Sequence, residues 1–183
     1  MNIPNLITLG RLFCVPVIVW LILDHQMMAA FWLFVAAAVS DAVDGIIAKK
    51  FDSITVLGEF LDPIADKALL MSVYLTLGHV DLIAAWLVIM VVFRDLVIVG
   101  GALLFQTVTQ SLTMRPLFIS KVNTVMQLAM IAAVLFIAAY RIDDGYVLEI
   151  LGYIVAVTTV WSGTFYVFTW SQMAAAMETE KKK

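Results

Sequence analysis

Asp41-Ala42-Val43-Asp44-Gly45-Ile46-Ile47-Ala48-Lys49 is followed, after eight residues, by Gly58-Glu59-Phe60-Leu61-Asp62-Pro63-Ile64-Ala65-Asp66. Four aspartates, Asp41, Asp44, Asp62 and Asp66, thus stand close together in a chain that is otherwise strongly apolar. Every carboxylate near hydrocarbon costs free energy, so the four need a joint explanation. At about 100° per residue, Asp41, Asp44, Gly45 and Ala48 fall on one face of a helix. Asp62 and Asp66 are one turn apart and share a face of the next helix, and a helical hairpin would bring the two faces together. Four converging carboxylates repel each other unless protons or cations neutralise them. An all-oxygen donor set suits hard cations, Mg²⁺ or Mn²⁺. Two such ions about 4 Å apart clamp a diphosphate during a phosphoryl-type displacement.

The small residues between the acids fit that reading. Gly45 and Ala48 leave the helix face open for a flat nucleotide base or sugar. Gly58 permits close backbone approach, and Pro63 is expected in a first helical turn, where its missing N–H matters least. The competing reading is a set of intramembrane salt bridges with Lys49, Lys50, Lys67 and Arg94. Interleaved glycine and alanine are more than charge neutralisation requires. Asp52 and Glu59 read as solvated interface residues.

The rest of the chain sets the frame. It has 183 residues, 63% of them hydrophobic and 14% charged, with mean hydropathy +1.02. A soluble domain of this length cannot bury that much apolar surface. The expected fold is all-α, a polytopic membrane bundle of six transmembrane helices, with apolar stretches near 6–23, 29–50, 60–78, 82–105, 119–140 and 146–172. The net charge of −3 says little, because the charges are clustered. Cys14 is the only cysteine, which excludes a disulfide framework and a thiolate metal site. Met1 to Asn5 lacks the basic region of a signal peptide, so the first apolar run reads as a retained helix.

Loop charge gives an orientation. Residues 24–28 and 78–81 hold no Lys or Arg, and Arg141 is offset by Asp143 and Asp144. The opposite side carries Arg11, Lys49, Lys50, Arg115, Lys121 and Lys181–Lys183. This bias places both termini, and the connection between the two aspartate helices, in the cytoplasm. The segment from Gln106 to Phe118 is the longest connection, with room for a short interfacial helix. Residues 1–172 read as one transmembrane domain and 173–183 as a short basic C-terminal tail, a frayed helix end lying against anionic lipid or in solvent.

The aspartate segment resembles the CDP-alcohol phosphotransferase family, whose motif runs D-x2-D-G-x2-A-R-x8-G-x3-D-x3-D. Every element is met except the arginine, which is Lys49 here, a point charge in place of a bidentate fork. The resemblance implies six transmembrane helices, a homodimer and a site open to the cytoplasmic leaflet. It implies that Asp41, Asp44 and Asp62 are metal ligands, and that Asp66 is both ligand and catalytic base. The cofactors implied are two divalent cations, Mg²⁺ or Mn²⁺. CDP-diacylglycerol would lie against Asn5, Thr8, Asp44, Gly45, Ala48, Lys49 and Gly58. The opening Asn2-Ile3-Pro4-Asn5-Leu6-Ile7-Thr8-Leu9-Gly10-Arg11 also looks like the N-P-N-x2-T-x2-R start of bacterial-type phosphatidylglycerophosphate synthases and eukaryotic-type cardiolipin synthases. Asn5, Thr8 and Arg11 lie at helical spacing, where they can hydrogen-bond the nucleotide or the aspartates.

Two features bear on the acceptor. Arg94-Asp95 falls mid-helix, where each charge costs about 2.5–3.5 kcal/mol on insertion scales, so Arg94 is expected to face the bundle interior. It would meet an anionic group there, or pair with Asp95 or Asp66 and only lock helices. Arg115-Pro116-Leu117-Phe118-Ile119-Ser120-Lys121-Val122-Asn123-Thr124 offers a phosphate two cations and the N–H groups of a helix start. The expected acceptor-phosphate residues are Arg94, Arg115, Ser120 and Lys121. Ser40-Asp41, Arg94-Asp95 and Ser120-Lys121-Val122-Asn123-Thr124 resemble the eukaryotic-type, CMP-forming cardiolipin synthases more than phosphatidylglycerophosphate synthases. That resemblance implies CDP-diacylglycerol and phosphatidylglycerol as substrates, with glycerol 3-phosphate as the alternative acceptor. It places the chain in a bacterial or mitochondrial inner membrane, among membrane lipids and without nucleic acid.

Other classes fit less well. Neither His25 nor His79 is followed two residues later by Lys, which excludes the paired H-x-K mechanism. No G-x-S-x-G, P-loop or zinc spacing occurs. An intramembrane prenyltransferase needs about nine spans. An ion or proton transporter would spread its acids across the membrane and usually shows internal repeats, and this chain shows neither.

Overall fold

The computed structural model describes the backbone of residues 3–51, 56–109 and 118–180, and the side chains of 8–40, 65–101, 118–169 and 171–172. The described residues form an all-α structure of six helices: α1 Ile3–Leu23, α2 Met27–Phe51, α3 Val56–His79, α4 Ala85–Thr109, α5 Phe118–Tyr140 and α6 Val147–Glu180. Each coincides with one of the six apolar stretches. α3 begins at Val56, so Pro63 lies about two turns inside the helix instead of in its first turn. A proline there deprives the Glu59 carbonyl of its usual N–H partner. α6 continues unbroken past residue 172 to Glu180. Most of the expected connecting segment, including Arg115, lies outside the described residues.

Tight packing on the side of the molecule away from the aspartates explains three of the turns. His25, Asp81 and Arg141 all adopt positive φ just beyond α1, α3 and α5. After α1, His25 N–H donates to Ile22 O at 3.0 Å and Gln26 N–H to Leu21 O at 2.8 Å. After α3, Asp81 N–H donates to Gly78 O at 3.3 Å and Leu82 N–H to Leu77 O at 2.9 Å. These are Schellman caps, which satisfy terminal carbonyls and reverse the chain in few residues. Gly78 is needed at the second of them, since a Cβ there would come within 2.8 Å of Val88 Cγ2.

The helices pack in a closed circuit: α1 on α2, α2 on α5, α5 on α6, α6 on α4, α4 on α3, and α3 back on α1, with α3 also meeting α5. Among the described residues α2 and α3 do not touch directly; α1 lies against both. The residues through which the expected hairpin would close, 41–50 and 56–64, have side chains outside the described set. Ile18, Ile22, Phe34, Val73, Tyr74, Leu77, Leu87, Val91, Ile131 and Leu135 fill the interior.

The outer surface is apolar as well. Phe13, Ile89, Phe93, Val157 and Phe168 are each at least 60% exposed. α5 and the first 23 residues of α6 are each long and apolar enough to cross a bilayer. The hydroxyls of Ser40, Thr164 and Thr169, all exposed, donate to carbonyls four residues back in their own helices, at 2.7–2.8 Å. Where no water can solvate a hydroxyl, the helix itself must satisfy it. These features suit a bundle surrounded by lipid.

Candidate active site

The aspartates sit on continuous helix. Asp41, Asp44, Gly45, Ala48 and Lys49 occupy the last part of α2, and Gly58, Asp62 and Asp66 the first half of α3. Helical backbone through both segments is the condition on which the one-face expectation depends. The side chains of Asp41, Asp44, Lys49 and Asp62, like that of Asn5 on α1, lie outside the described residues. Thr8 is buried near the start of α1.

Asp66 marks a point where α3 meets α1. Its carboxylate is 40% exposed and forms an ion pair with Arg11, which is almost fully buried. Arg11 Nη1 donates to Asp66 Oδ1. A guanidinium held beneath hydrocarbon requires an anionic partner, and Asp66 supplies it at the open edge of the bundle. The sequence pattern indicated Arg11 as a partner of either the nucleotide or the aspartates; the second holds here. The donor set fits the expected metal: Asp41, Asp44, Asp62 and Asp66 offer only hard carboxylate oxygens, and Asp66 is accessible.

One residue further along α3, Lys67 turns to the other side. Its Nζ lies 2.5 Å from Asp95 Oδ1 of α4. Arg94 Nη1 meets the same oxygen at 2.6 Å. Arg94 Nη2 donates to Ser120 Oγ of α5 at 2.8 Å, and to Ser162 Oγ of α6. Asp95 is fully buried and Arg94 nearly so. Gly163 lies beside the arginine stem, where a Cβ would make an ordinary contact of 3.6 Å with Arg94 Cγ. α3, α4, α5 and α6 are therefore tied by one connected polar cluster.

The expected acceptor residues separate into distinct environments. Arg94 and Ser120 are joined by the bond just described. Lys121 is exposed, and Arg115 lies outside the described residues. Deeper along α5, Asn123 Oδ1 accepts from Thr158 Oγ1 at 2.8 Å and Thr159 Oγ1 at 3.0 Å. Among the described residues, Asn123 Nδ2 and both polar atoms of the Gln127 side-chain amide have no hydrogen-bond partner. Sequence reasoning named Lys67 only as a salt-bridge partner of the aspartates and did not single out Ser162 or Gln127. Ser120, Asn123 and Gln127 recur every three to four residues, and Ser162 follows the Thr158–Thr159 pair at the same interval. Those two polar stripes in apolar helices were the available signal.

The chain as a whole is similar to known proteins. Residues 1–161 match the CDP-alcohol phosphatidyltransferase family. The chain is 34% identical to the chloroplastic CDP-diacylglycerol–glycerol-3-phosphate 3-phosphatidyltransferase 1 of Oryza sativa, over 94% of this chain and 58% of that protein. It is 33% identical to the cardiolipin synthase (CMP-forming) of Rattus norvegicus, over 90% of this chain and 60% of that protein. With the CDP-diacylglycerol–glycerol-3-phosphate 3-phosphatidyltransferase of Bacillus subtilis the identity is 31%, over 73% and 76% respectively. The chain thus spans less than two-thirds of the rice and rat proteins. Aspartates at the family spacing on two continuous helices, an arginine of α1 on the last of them, and a match over nearly the whole sequence lead to one conclusion: this chain belongs to the CDP-alcohol phosphatidyltransferase family.

Proposed function

We propose that the chain transfers a phosphatidyl group from CDP-diacylglycerol to phosphatidylglycerol, forming cardiolipin and CMP. The observation that carries this reading is the placement of the complete aspartate pattern on uninterrupted stretches of α2 and α3, with Asp66 accessible at the bundle edge. Asp41, Asp44, Asp62 and Asp66 would hold two Mg²⁺ or Mn²⁺ ions, which supply charge neutralisation for the diphosphate. Asp66 takes the proton of the acceptor's free glycerol hydroxyl. That oxygen forms a bond to the phosphorus bearing diacylglycerol, and the bond from this phosphorus to the oxygen of CMP breaks. Arg11 orients Asp66. Asn5, Thr8, Gly45, Ala48, Lys49 and Gly58 form the nucleotide side of the cleft. Arg115, Ser120 and Lys121 hold the acceptor phosphodiester, with the Arg94 guanidinium behind Ser120. Little else is required, since phosphoryl transfer depends mainly on positioning and electrostatics.

In this reading the chain is an inner-membrane homodimer with both termini and the active site on the cytoplasmic side. Residues 1–172 form the catalytic domain, and the lysines of the 173–183 tail lie against anionic lipid. A second acceptor, glycerol 3-phosphate, is favoured by the rice and Bacillus relatives. One experiment separates the readings. Purified protein is given CDP-diacylglycerol and Mn²⁺ with either phosphatidylglycerol or glycerol 3-phosphate, and the lipid product is identified by mass spectrometry. Cardiolipin supports the proposal, and phosphatidylglycerophosphate supports the alternative. Absence of CMP release with every alcohol acceptor would revive the transporter reading.

A further inference from the structure

Arg141 is the only Lys or Arg in the three connections at the end of the bundle away from the aspartates, 24–26, 80–84 and 141–146. It forms no ion pair among the described residues. Its φ is 52°, at a cap position where glycine or asparagine is the ordinary choice. Ile142 N–H completes the cap by donating to Ile137 O at 3.1 Å. A long charged residue kept at such a place calls for a role for its side chain. That side chain lines a cavity of about 480 Å³ between the α1–α2 turn, the start of α2 and the end of α5. His25 and Gln26 of the turn give the cavity a polar edge, and Met28, Trp32 and Ala139, further along their helices, give it an apolar one. A lining of that kind matches an amphiphile at a membrane boundary, where tryptophan is also favoured. Carboxylates flank the cavity in the chain without lining it: Asp24 precedes His25, and Asp143 and Asp144 follow Arg141. Asp24 accepts from Gln26 Nε2 at 2.6 Å, and Asp143 from the Gly145 N–H at 3.3 Å.

We propose that this cavity binds a phospholipid with an ammonium headgroup. The Arg141 guanidinium takes the phosphodiester, for which its planar fork is suited. The flanking acids favour a positive charge on the outer part of the headgroup and disfavour a second negative one. The chains of the lipid run along Met28, Trp32 and Ala139. The site lies at the opposite end of the bundle from the aspartates, and its occupant carries an ammonium where an acceptor needs a free hydroxyl. It is therefore separate from the cleft of the proposed function. Its effect is to seat the α1–α2 and α5–α6 turns in the headgroup layer of the leaflet they meet.

The test counts lipid bound to the purified full-length chain by native mass spectrometry from detergent. The chain is titrated with phosphatidylethanolamine and, separately, with phosphatidylmethanol of the same acyl chains, an anionic phosphodiester lipid with neither ammonium nor hydroxyl. Phosphatidylethanolamine is expected to bind about fivefold more tightly. Arg141→Asn, which tolerates the positive φ, is expected to weaken phosphatidylethanolamine binding about tenfold. Ala139→Leu fills the apolar edge while leaving the cation in place, and is expected to weaken binding by a similar factor, roughly tenfold. Glycerophosphoethanolamine, the head without its chains, should fail to displace the lipid. Equal or tighter binding of phosphatidylmethanol would overturn the proposal, and so would unchanged binding in Arg141→Asn. Loss in Arg141→Asn without loss in Ala139→Leu would mean diffuse surface attraction instead of a site, and displacement by the free head would mean a soluble phosphodiester instead of a lipid; each overturns it. If Arg141→Asn does not fold, as judged by circular dichroism, Ala139→Leu decides by the same criterion. None of these outcomes bears on CMP release, so failure here leaves the proposed transferase reading standing.

Discussion

The two ends of this bundle solve different physical problems. The end carrying the Schellman caps is closed by short turns over an apolar interior in which Ile22, Leu77 and Leu87 are buried. The aspartate end holds Arg11, Asp66, Lys67, Arg94 and Asp95 in ion pairs at or just beneath the surface. The first end is stabilised by packing, and chemistry has no purchase there. The second retains charges whose desolvation costs more than an apolar replacement. Proteins keep such groups where a function needs them. The cost is visible in what is incompletely satisfied: Asp95 Oδ2, Arg94 Nε, Asn123 Nδ2 and the Gln127 amide all lack partners.

Substitutions at the two ends should therefore separate activity from stability. The largest effect is expected at the aspartate end. Asp66→Asn removes the proposed base and should lower the rate of CMP release about 10²- to 10⁴-fold. The folded helix content should be little changed, and exhaustive chelation should reduce the unchanged chain to a similarly low rate. Full turnover by this variant would break the contrast between the ends.

Leu77→Ala should do the reverse. It empties fully buried volume at the capped end and should destabilise the fold by about 2–5 kcal/mol. The protein that remains folded should keep its Mn²⁺ dependence, measured by titrating activity below the unfolding temperature. A shifted metal requirement would show that the two ends are coupled through α3.

Gln127 lies between the two regimes. Its amide is fully buried without partners, so Gln127→Leu should not destabilise and should gain about 1–3 kcal/mol in thermal unfolding. A loss of stability would mean that the amide makes bonds in the working protein. The smallest effect belongs to a cap. His25 holds a positive φ of 59°, and His25→Gly should relieve up to about 1 kcal/mol of backbone strain. Its acceptor kinetics should be unaltered, as judged by the same CMP-release assay.

Much of this was legible before any tertiary structure. Six apolar stretches correspond to six helices because burial in lipid demands long hydrogen-bonded runs. The aspartate spacing alone placed Asp41 with Asp44, and Asp62 with Asp66, on common faces. One local reading differed from the outcome. Pro63 looked like a helix-starting residue, but α3 begins about two turns earlier, since membrane helices tolerate proline where surrounding groups re-satisfy the freed backbone carbonyl. Ser162, and Asp95 as the partner of Lys67, were hard to find because neither pairing follows from a spaced motif.

What the chain determined by itself is what depends on neighbours along one helix: which segments are helical, which faces are acidic, and which family the pattern belongs to. Those follow from period and composition. Only tertiary packing decided the partners. It joined Arg11 to Asp66 across 55 residues, Lys67 to Asp95 across 28 and Arg94 to Ser162 across 68. A buried charge takes whichever counter-charge the packed helices bring within reach, and that choice is not written in the spacing of either residue.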